Sequence, residues 1–239
     1  MSEVKIARFV GIEACKSIFS EKSTFVLRSP EHYRRLYETC EGENTKGDRD
    51  EGCAKISGGG TAEFTCWITS CWTMLKGNEP MREEWDIFKK DDQNIVAIIS
   101  TPSKVCEFLN RVLETGESEG VPFYPVEHRE VNYGPVMVPI DHNNISSVVP
   151  FVKDESFIKE KEYRFVLEYG WGPHLIDSFI FCGGIDYVEK CLVNPEMNEE
   201  YKKYRERLRL IIMKAQAGYG DFTDKEMSDI IANADILFL

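Results

Sequence analysis

Two segments of the chain are apolar at odd and even positions alike, and this pattern constrains the possible folds more than any other. They lie in AEFTCWITSCWT (Ala62 to Thr73) and NIVAIIS (Asn94 to Ser100). A strand with one face in water alternates apolar and polar residues, whereas a strand covered on both faces is apolar throughout. Phe64 to Thr73 and Ile95 to Ser100 are therefore predicted to be buried strands at the centre of a sheet.

Shorter strands and helices are predicted on both sides of these two segments. Ser29-Pro30 and Thr101-Pro102 each pair a capping residue with a proline suited to the first helical position, so a helix is predicted to begin at each. Hydrophobic periodicity predicts further strands at 4–11, 23–29, 123–134, 159–170 and 174–184, and further helices at 12–22, 79–90, 198–216 and 224–232. No internal repeat is evident. The sequence thus predicts a single α+β domain over 1–239, with a mixed central sheet and flanking helices.

Residues 41–60 differ from their surroundings in composition. They include the polar run GENTKGDRDEG and end in Gly58, Gly59 and Gly60. Three glycines in a row allow backbone amides to approach a phosphate, but the Lys-Ser/Thr pair of a P-loop does not follow them. A flexible surface loop is the prediction for this segment.

The charge balance of the chain restricts its partners. The 239 residues include 29 Lys+Arg and 41 Asp+Glu, which gives a net charge of -12. Such a chain repels phosphate backbones, so generic nucleic-acid binding is not expected. No apolar run reaches the roughly 18 residues of a membrane span, and the start of the chain mixes Glu3, Lys5 and Arg8 into its apolar residues. We therefore expect a cytoplasmic protein with a small-molecule or protein partner.

The eight cysteines are irregularly spaced and include no Cys-x-x-Cys pair. Several lie in apolar segments, which is typical of buried thiols in a reducing compartment. Free thiols are predicted. His32, Cys40 and Cys53 lack the paired spacing of a zinc site, so no metal is expected.

A series of short motifs carries a resemblance to a known family. The series begins with the strand CWITSCWT and continues with Trp85-x-x-Phe88, the strand IVAIIST, Val131-x-Tyr133 and FIKEKEYRFVL. It closes with KCLVNPEMNEEYKKYRERLRLI. From Phe64 to Ile212 this order resembles domain-of-unknown-function family 2971, a widespread microbial family of cytosolic proteins. Phe88 stands where that family usually has a tyrosine. The resemblance implies a family-like core over 64–212 and assigns no chemistry to it.

The strongest catalytic candidates lie in KEKEYRF. Glu160, Glu162 and Arg164 are two residues apart, so they are expected on one face of a strand while Tyr163 and Phe165 face the core. One interpretation is a pair of catalytic carboxylates. The other is a solvent-exposed face carrying a Glu162–Arg164 ion pair, because charged faces are common.

The Glu-x-Glu element resembles that of the ADP-ribosyltransferases, in which an arginine strand and a Ser/Thr strand come earlier in the chain. Arg8 and the Thr69-Ser70 pair occur in that order here, although Cys71 follows where a third hydroxyl residue is usual. The resemblance implies that arginine holds the pyrophosphate of NAD and that the hydroxyl strand fixes the nicotinamide ribose. Glu162, with Glu160, would bind the ribose and stabilise oxocarbenium charge as nicotinamide leaves.

The candidate residues are accordingly Glu162 and Glu160 for catalysis, and Arg8, Thr69, Ser70 and Arg164 for binding NAD as a substrate. Two hypotheses about function remain open at this point. The first is a nucleotide- or NAD-using enzyme of the ADP-ribosyltransferase type. The second is a non-enzymatic interaction module that presents its acidic surface to a protein partner in a stress or phage-response system.

Overall fold

The structure is a computed structural model that describes residues 3–20, 23–39, 50–56, 61–63, 66–88, 95–115, 122–134, 137–138, 148–170 and 176–196. The helices predicted at 198–216 and 224–232 lie outside these ranges, as do residues 41–49 and 57–60 of the predicted loop.

The described elements alternate between strands and short helices along the chain. In order they are β1 (Ile6–Gly11), α1 (Ile12–Ile18), β2 (Thr24–Arg28), α2 (Pro30–Thr39), β3 (Cys53–Ile56), β4 (Thr61–Glu63), β5 (Trp67–Met74), α3 (Arg82–Phe88), β6 (Ile95–Ser100), α4 (Pro102–Glu114), β7 (Glu127–Glu130), β8 (Asn132–Tyr133), β9 (Met137–Val138), β10 (Val152–Lys153), β11 (Glu162–Glu168), β12 (Ser178–Cys182) and β13 (Lys190–Val193). Two 3₁₀ helices, Val149–Phe151 and Glu155–Glu160, flank β10.

The largest sheet has eight described strands. Its order is β12-β2-β5-β1-β6-β13, with β11 paired to β5 and β7 paired to β11. The predicted α+β fold is confirmed, and so is the central position of β5 and β6, each of which has a strand on both sides. Parallel pairing occurs in two smaller sheets, between β8 and β10 in one and between β3 and β9 in the other.

The predicted helix starts are also confirmed. Helix α2 begins at Pro30, and the Ser29 hydroxyl oxygen accepts a hydrogen bond from the His32 backbone N–H at 3.1 Å. Helix α4 begins at Pro102, and the Thr101 hydroxyl oxygen accepts one from the Lys104 N–H at 3.5 Å. A side-chain acceptor at this position satisfies one of the N–H groups that the first helical turn leaves without a partner.

The chain divides into two compact units. The first comprises residues up to Phe25, Trp72–Val112 and residues from Cys182 onward. Within it, β6 pairs antiparallel with β1 and with β13, and all six β6 residues are buried. The core on one face of these strands is formed by Ala7, Leu75, Trp85, Ile95, Ala97, Ile99 and Leu192.

The second unit comprises Val26–Cys71 and Leu113–Phe181, and it contains most of the candidate residues. In this unit β11 pairs antiparallel with β7, from Tyr163 opposite Glu130 to Val166 opposite Glu127. The short parallel ladder of β8 and β10 places Lys153 opposite Tyr133.

One part of the predicted loop is structured, which corrects the prediction over 41–60. Cys53–Ile56 forms β3, which pairs with β4 and β9. Glu51, in the turn before β3, is 3% exposed. A flexible surface loop is therefore wrong for residues 50–56.

Within the described ranges, no helix combines the length and the apolarity that crossing a bilayer requires. The cysteines within the described ranges carry free thiols, as predicted: Cys15, Cys53, Cys66, Cys71, Cys106, Cys182 and Cys191.

Candidate active site

The two candidate glutamates reach one site from different elements. Glu160 is the last residue of a 3₁₀ helix, Lys161 takes a left-handed conformation with φ 45°, and β11 begins at Glu162. The prediction that Glu160 and Glu162 alternate along one strand is therefore wrong. Their carboxylates nevertheless converge, because both accept a hydrogen bond from the same lysine, Lys153.

Arg164 lies at the centre of the site and is 1% exposed. Its Nε and Nη2 donate to the two oxygens of Glu162 at 2.7 and 3.3 Å. Its Nη1 and Nη2 donate to the two oxygens of Glu51 at 2.5 and 2.9 Å, and Nη1 also donates to the Pro150 carbonyl at 2.7 Å. All five guanidinium N–H groups are thus engaged within the protein.

This geometry corrects the interpretation of β11 as a solvent-exposed charged face. The Glu162–Arg164 ion pair exists, but both residues are buried. Because every donor of Arg164 has a partner, the side chain has none left for the pyrophosphate of NAD in this conformation. The binding role predicted for Arg164 is therefore not favoured by the geometry.

Glu51 is a member of the site that sequence reasoning missed. Its carboxylate forms a two-point contact with Arg164, which lies 113 residues away in the chain. Bidentate carboxylate–guanidinium pairs combine electrostatic attraction with a fixed geometry. No local signal distinguishes Glu51 from the other acidic residues of its polar segment.

Lys153 joins the two catalytic candidates and was also missed. Its Nζ donates to Glu160 Oε2 at 2.8 Å and to Glu162 Oε2 at 3.1 Å, and the lysine side chain is 11% exposed. Burial acts to lower the pKa of Lys153, but the charges of Glu162 and Glu160 outweigh it and hold the pKa above its ordinary value of 10.5. Lys153 is therefore a permanent cation between two carboxylates.

The β8–β10 ladder fixes the position of Lys153. Gly134 N–H donates to the Lys153 carbonyl at 3.0 Å, and Tyr133 is the cross-strand partner of Lys153. The Tyr133 hydroxyl oxygen accepts the Glu162 backbone N–H at 2.7 Å, while the Glu162 carbonyl accepts the Val131 N–H at 2.9 Å. Glu162, the first residue of β11, is thus hydrogen-bonded to Tyr133 of β8, and Tyr133 is also the residue that pairs with Lys153.

The two carboxyl groups have pKa values shifted in opposite directions. For Glu162, burial acts to raise the pKa, but the charges of Arg164 and Lys153 bring it well below the ordinary 4.5. For Glu160, burial raises the pKa above 4.5, Lys153 draws it back, and the Glu162 charge raises it again. Neighbouring carboxyl groups that differ in this way are typical of acid–base sites.

Cys71 borders the site from β5. Its thiol lies 3.6 Å from the Tyr33 hydroxyl oxygen, and Glu162 is a charged neighbour of the thiol. Burial, followed by the nearby Glu162 charge, raises the pKa of Cys71 far above its ordinary value. A thiol in these surroundings stays protonated and is a poor nucleophile.

The hydroxyl residues predicted to bind NAD lie beside the site on β5. Thr69 and Ser70 are both fully buried, and β5 pairs with β11. The Thr69 hydroxyl donates to the Phe165 carbonyl at 3.0 Å, so its proton is used to join the two strands.

Arg8 belongs to the first unit, whereas Thr69, Ser70, Glu160, Glu162 and Arg164 belong to the second. The Arg8 guanidinium lies 5.4 Å from the centre of the Phe25 ring, in a cation–π contact. Its predicted role in binding pyrophosphate stays a prediction.

Comparisons of the chain with protein-family models, with curated proteins and with solved structures find no match. The resemblances to family 2971 and to the ADP-ribosyltransferases accordingly remain predictions from the sequence.

Proposed function

We propose that this chain is an enzyme that uses a nucleotide, with NAD as its substrate, Glu160 as the catalytic carboxylate that contacts it and Glu162 as the buried charged partner of Glu160. One observation carries the proposal: the two carboxylates converge on Lys153, and their pKa values are shifted in opposite directions. Burial and charge partners of this kind are concentrated at active sites.

The two carboxylates have different access to solvent. The Glu160 side chain is 25% exposed and the Glu162 side chain 4% exposed. Glu160 is therefore the group that contacts substrate, and Glu162 acts through Lys153. An ionised Glu160 stabilises the positive charge that develops on a ribose ring as nicotinamide leaves.

The first test is nicotinamide release from NAD by the purified protein in the presence of cell extract as a source of acceptors. We expect release by the wild type and a rate lower by about a hundredfold or more in Glu160→Gln, because the substitution removes one electrostatic contact to the transition state. Glu155→Gln is the matched control, since Glu155 is an exposed residue of the same 3₁₀ helix. Absence of release by the wild type, or equal rates in the wild type and Glu160→Gln, contradicts the proposal.

A second candidate function is a non-enzymatic module that binds a protein partner. One observation favours it: all five N–H donors of Arg164 are engaged within the protein, which leaves none for the pyrophosphate of NAD. For this candidate the expected result is that the wild type releases no nicotinamide under any condition that preserves its fold.

A further inference from the structure

Among the described residues, Lys153 is the only cation that contacts both the half-exposed Glu160 and the buried Glu162. Its Nζ contacts Glu160 at 2.8 Å on the exposed side and Glu162 at 3.1 Å on the buried side. The same ammonium lies 4.5 Å from the centre of the Phe157 ring, which covers it with a cation–π contact. Arg164 cannot substitute for it, because its five N–H groups already have acceptors.

We propose that Lys153 is the positioning residue of this site: its shared ammonium orients the Glu160 carboxylate toward substrate and couples that carboxylate to the charge of Glu162. The proposal rests on the proposed function only in taking Glu160 as the carboxylate that contacts substrate. It assigns to Lys153 no contact with the reacting atoms.

The charges around Glu160 explain why a single lysine can control the ionisation of its carboxyl group. Glu160 faces Lys153 from β10, Glu162 and Arg164 from β11, and the Tyr133 hydroxyl from β8. Lys153 is the cation in direct contact with Glu160, whereas Arg164 contacts Glu162. Without the lysine charge, Glu160 would be partly buried beside the negative charge of Glu162, and its ionised form would be strongly disfavoured.

The backbone supports the same role. Lys153 is held in register with Tyr133, and Tyr133 in turn accepts the N–H of Glu162. The lysine and the start of β11 therefore keep a fixed spacing. A lysine at a mobile surface position would lose more side-chain entropy on forming such contacts.

The test is a titration of side-chain carboxyl groups by NMR, with the Glu160 signal assigned by its absence in Glu160→Gln. In Lys153→Met we expect the Glu160 midpoint to rise by about 1–3 pH units, the range produced by an opposite charge within about 4–6 Å. Lys159→Met is the matched control, because Lys159 is an exposed lysine of the 3₁₀ helix that ends at Glu160. We expect Lys159→Met to leave the midpoint unchanged.

A second variant covers the case in which Lys153→Met does not fold. Lys153→Gln removes the charge but keeps an N–H donor for the buried Glu162, and the same upward shift is expected. A Glu160 midpoint equal to that of the wild type in a folded Lys153 variant overturns the inference. The titration requires no turnover, so the two proposals can fail separately. A lack of NAD consumption contradicts only the proposed function, and an unshifted Glu160 midpoint contradicts only the role of Lys153.

Discussion

At the scale of single residues, the burial of Arg164 requires an explanation. It lies directly opposite Arg129 in the antiparallel pair of β11 and β7. Like charges in opposed positions destabilise a sheet, but each arginine here has a different set of partners. Arg164 is neutralised by Glu51 and Glu162, while the Arg129 guanidinium lies 4.2 Å from the centre of the Phe151 ring.

Truncation of Arg164 should therefore be costly. Arg164→Met leaves Glu51 and Glu162 buried beside each other, and we expect the free energy of unfolding to fall by about 3–5 kcal/mol, the cost of removing one partner of a buried ion pair. Urea denaturation measures it. Arg129→Met is the control, with an expected loss of about 0.5–1 kcal/mol, because Arg129 is exposed and its guanidinium makes a cation–π contact with Phe151. Equal losses of unfolding free energy in the two variants would mean that Arg164 does not stabilise the buried charges of Glu51 and Glu162.

At the scale of elements, the buried strands could be predicted from the sequence, but the 3₁₀ helix and the left-handed residue that precede β11 could not. β5 and β6 are recognised because apolar residues at both odd and even positions leave neither face of the strand for water. The 3₁₀ helix Glu155–Glu160 was missed because the alternation in KEKEYRF suggests a strand beginning before Glu162. The left-handed residue that separates the helix from β11 is Lys161, and lysine is not a residue that signals such a conformation.

The buried strands provide a stability prediction. Ile68 in β5 and Ile98 in β6 are fully buried, and replacing either by alanine should lower the free energy of unfolding by about 2–5 kcal/mol through the cavity left behind. Ile180→Ala on β12 is the control, because that side chain is exposed, and its effect should stay within about 0.5 kcal/mol. Thermal or urea unfolding of the three variants measures these differences. A loss below about half a kcal/mol for Ile68 or Ile98 would place the strand at the periphery.

At the scale of the whole molecule, the site depends on contacts between distant segments of the chain. Glu51 comes from a polar segment, Lys153 from a two-residue strand, and Glu162 and Arg164 from a central strand. Sequence periodicity reports which face of an element is buried, but it does not report which charged residues meet across 113 residues of chain. The two glutamates could be singled out from the sequence, although Glu160 was assigned to a strand instead of a 3₁₀ helix. Their shared cation Lys153 and the Glu51 partner of Arg164 required the structure.

The net charge of -12 illustrates the same limit. It indicates an acidic surface and argues against phosphate backbones as partners, but it gives no sign that the carboxylates of Glu51, Glu160 and Glu162 surround Arg164 and Lys153. The consequence for function is that acid–base behaviour depends on the environment of a few residues rather than on the overall charge.

The most direct measurement of the central claim, that Glu160 acts as an ionised carboxylate, is the pH dependence of nicotinamide release from NAD. The pKa of Glu160 lies above its ordinary value of 4.5 because of burial and the neighbouring Glu162 charge. Protonation removes the charge that the reaction needs, so the rate should fall as the pH falls through a midpoint above 4.5. Glu160→Gln should lack this acidic limb and be slower by about a hundredfold or more at neutral pH. A wild type that releases no nicotinamide at any pH, or a Glu160→Gln variant that retains both the rate and the acidic limb, would contradict the account.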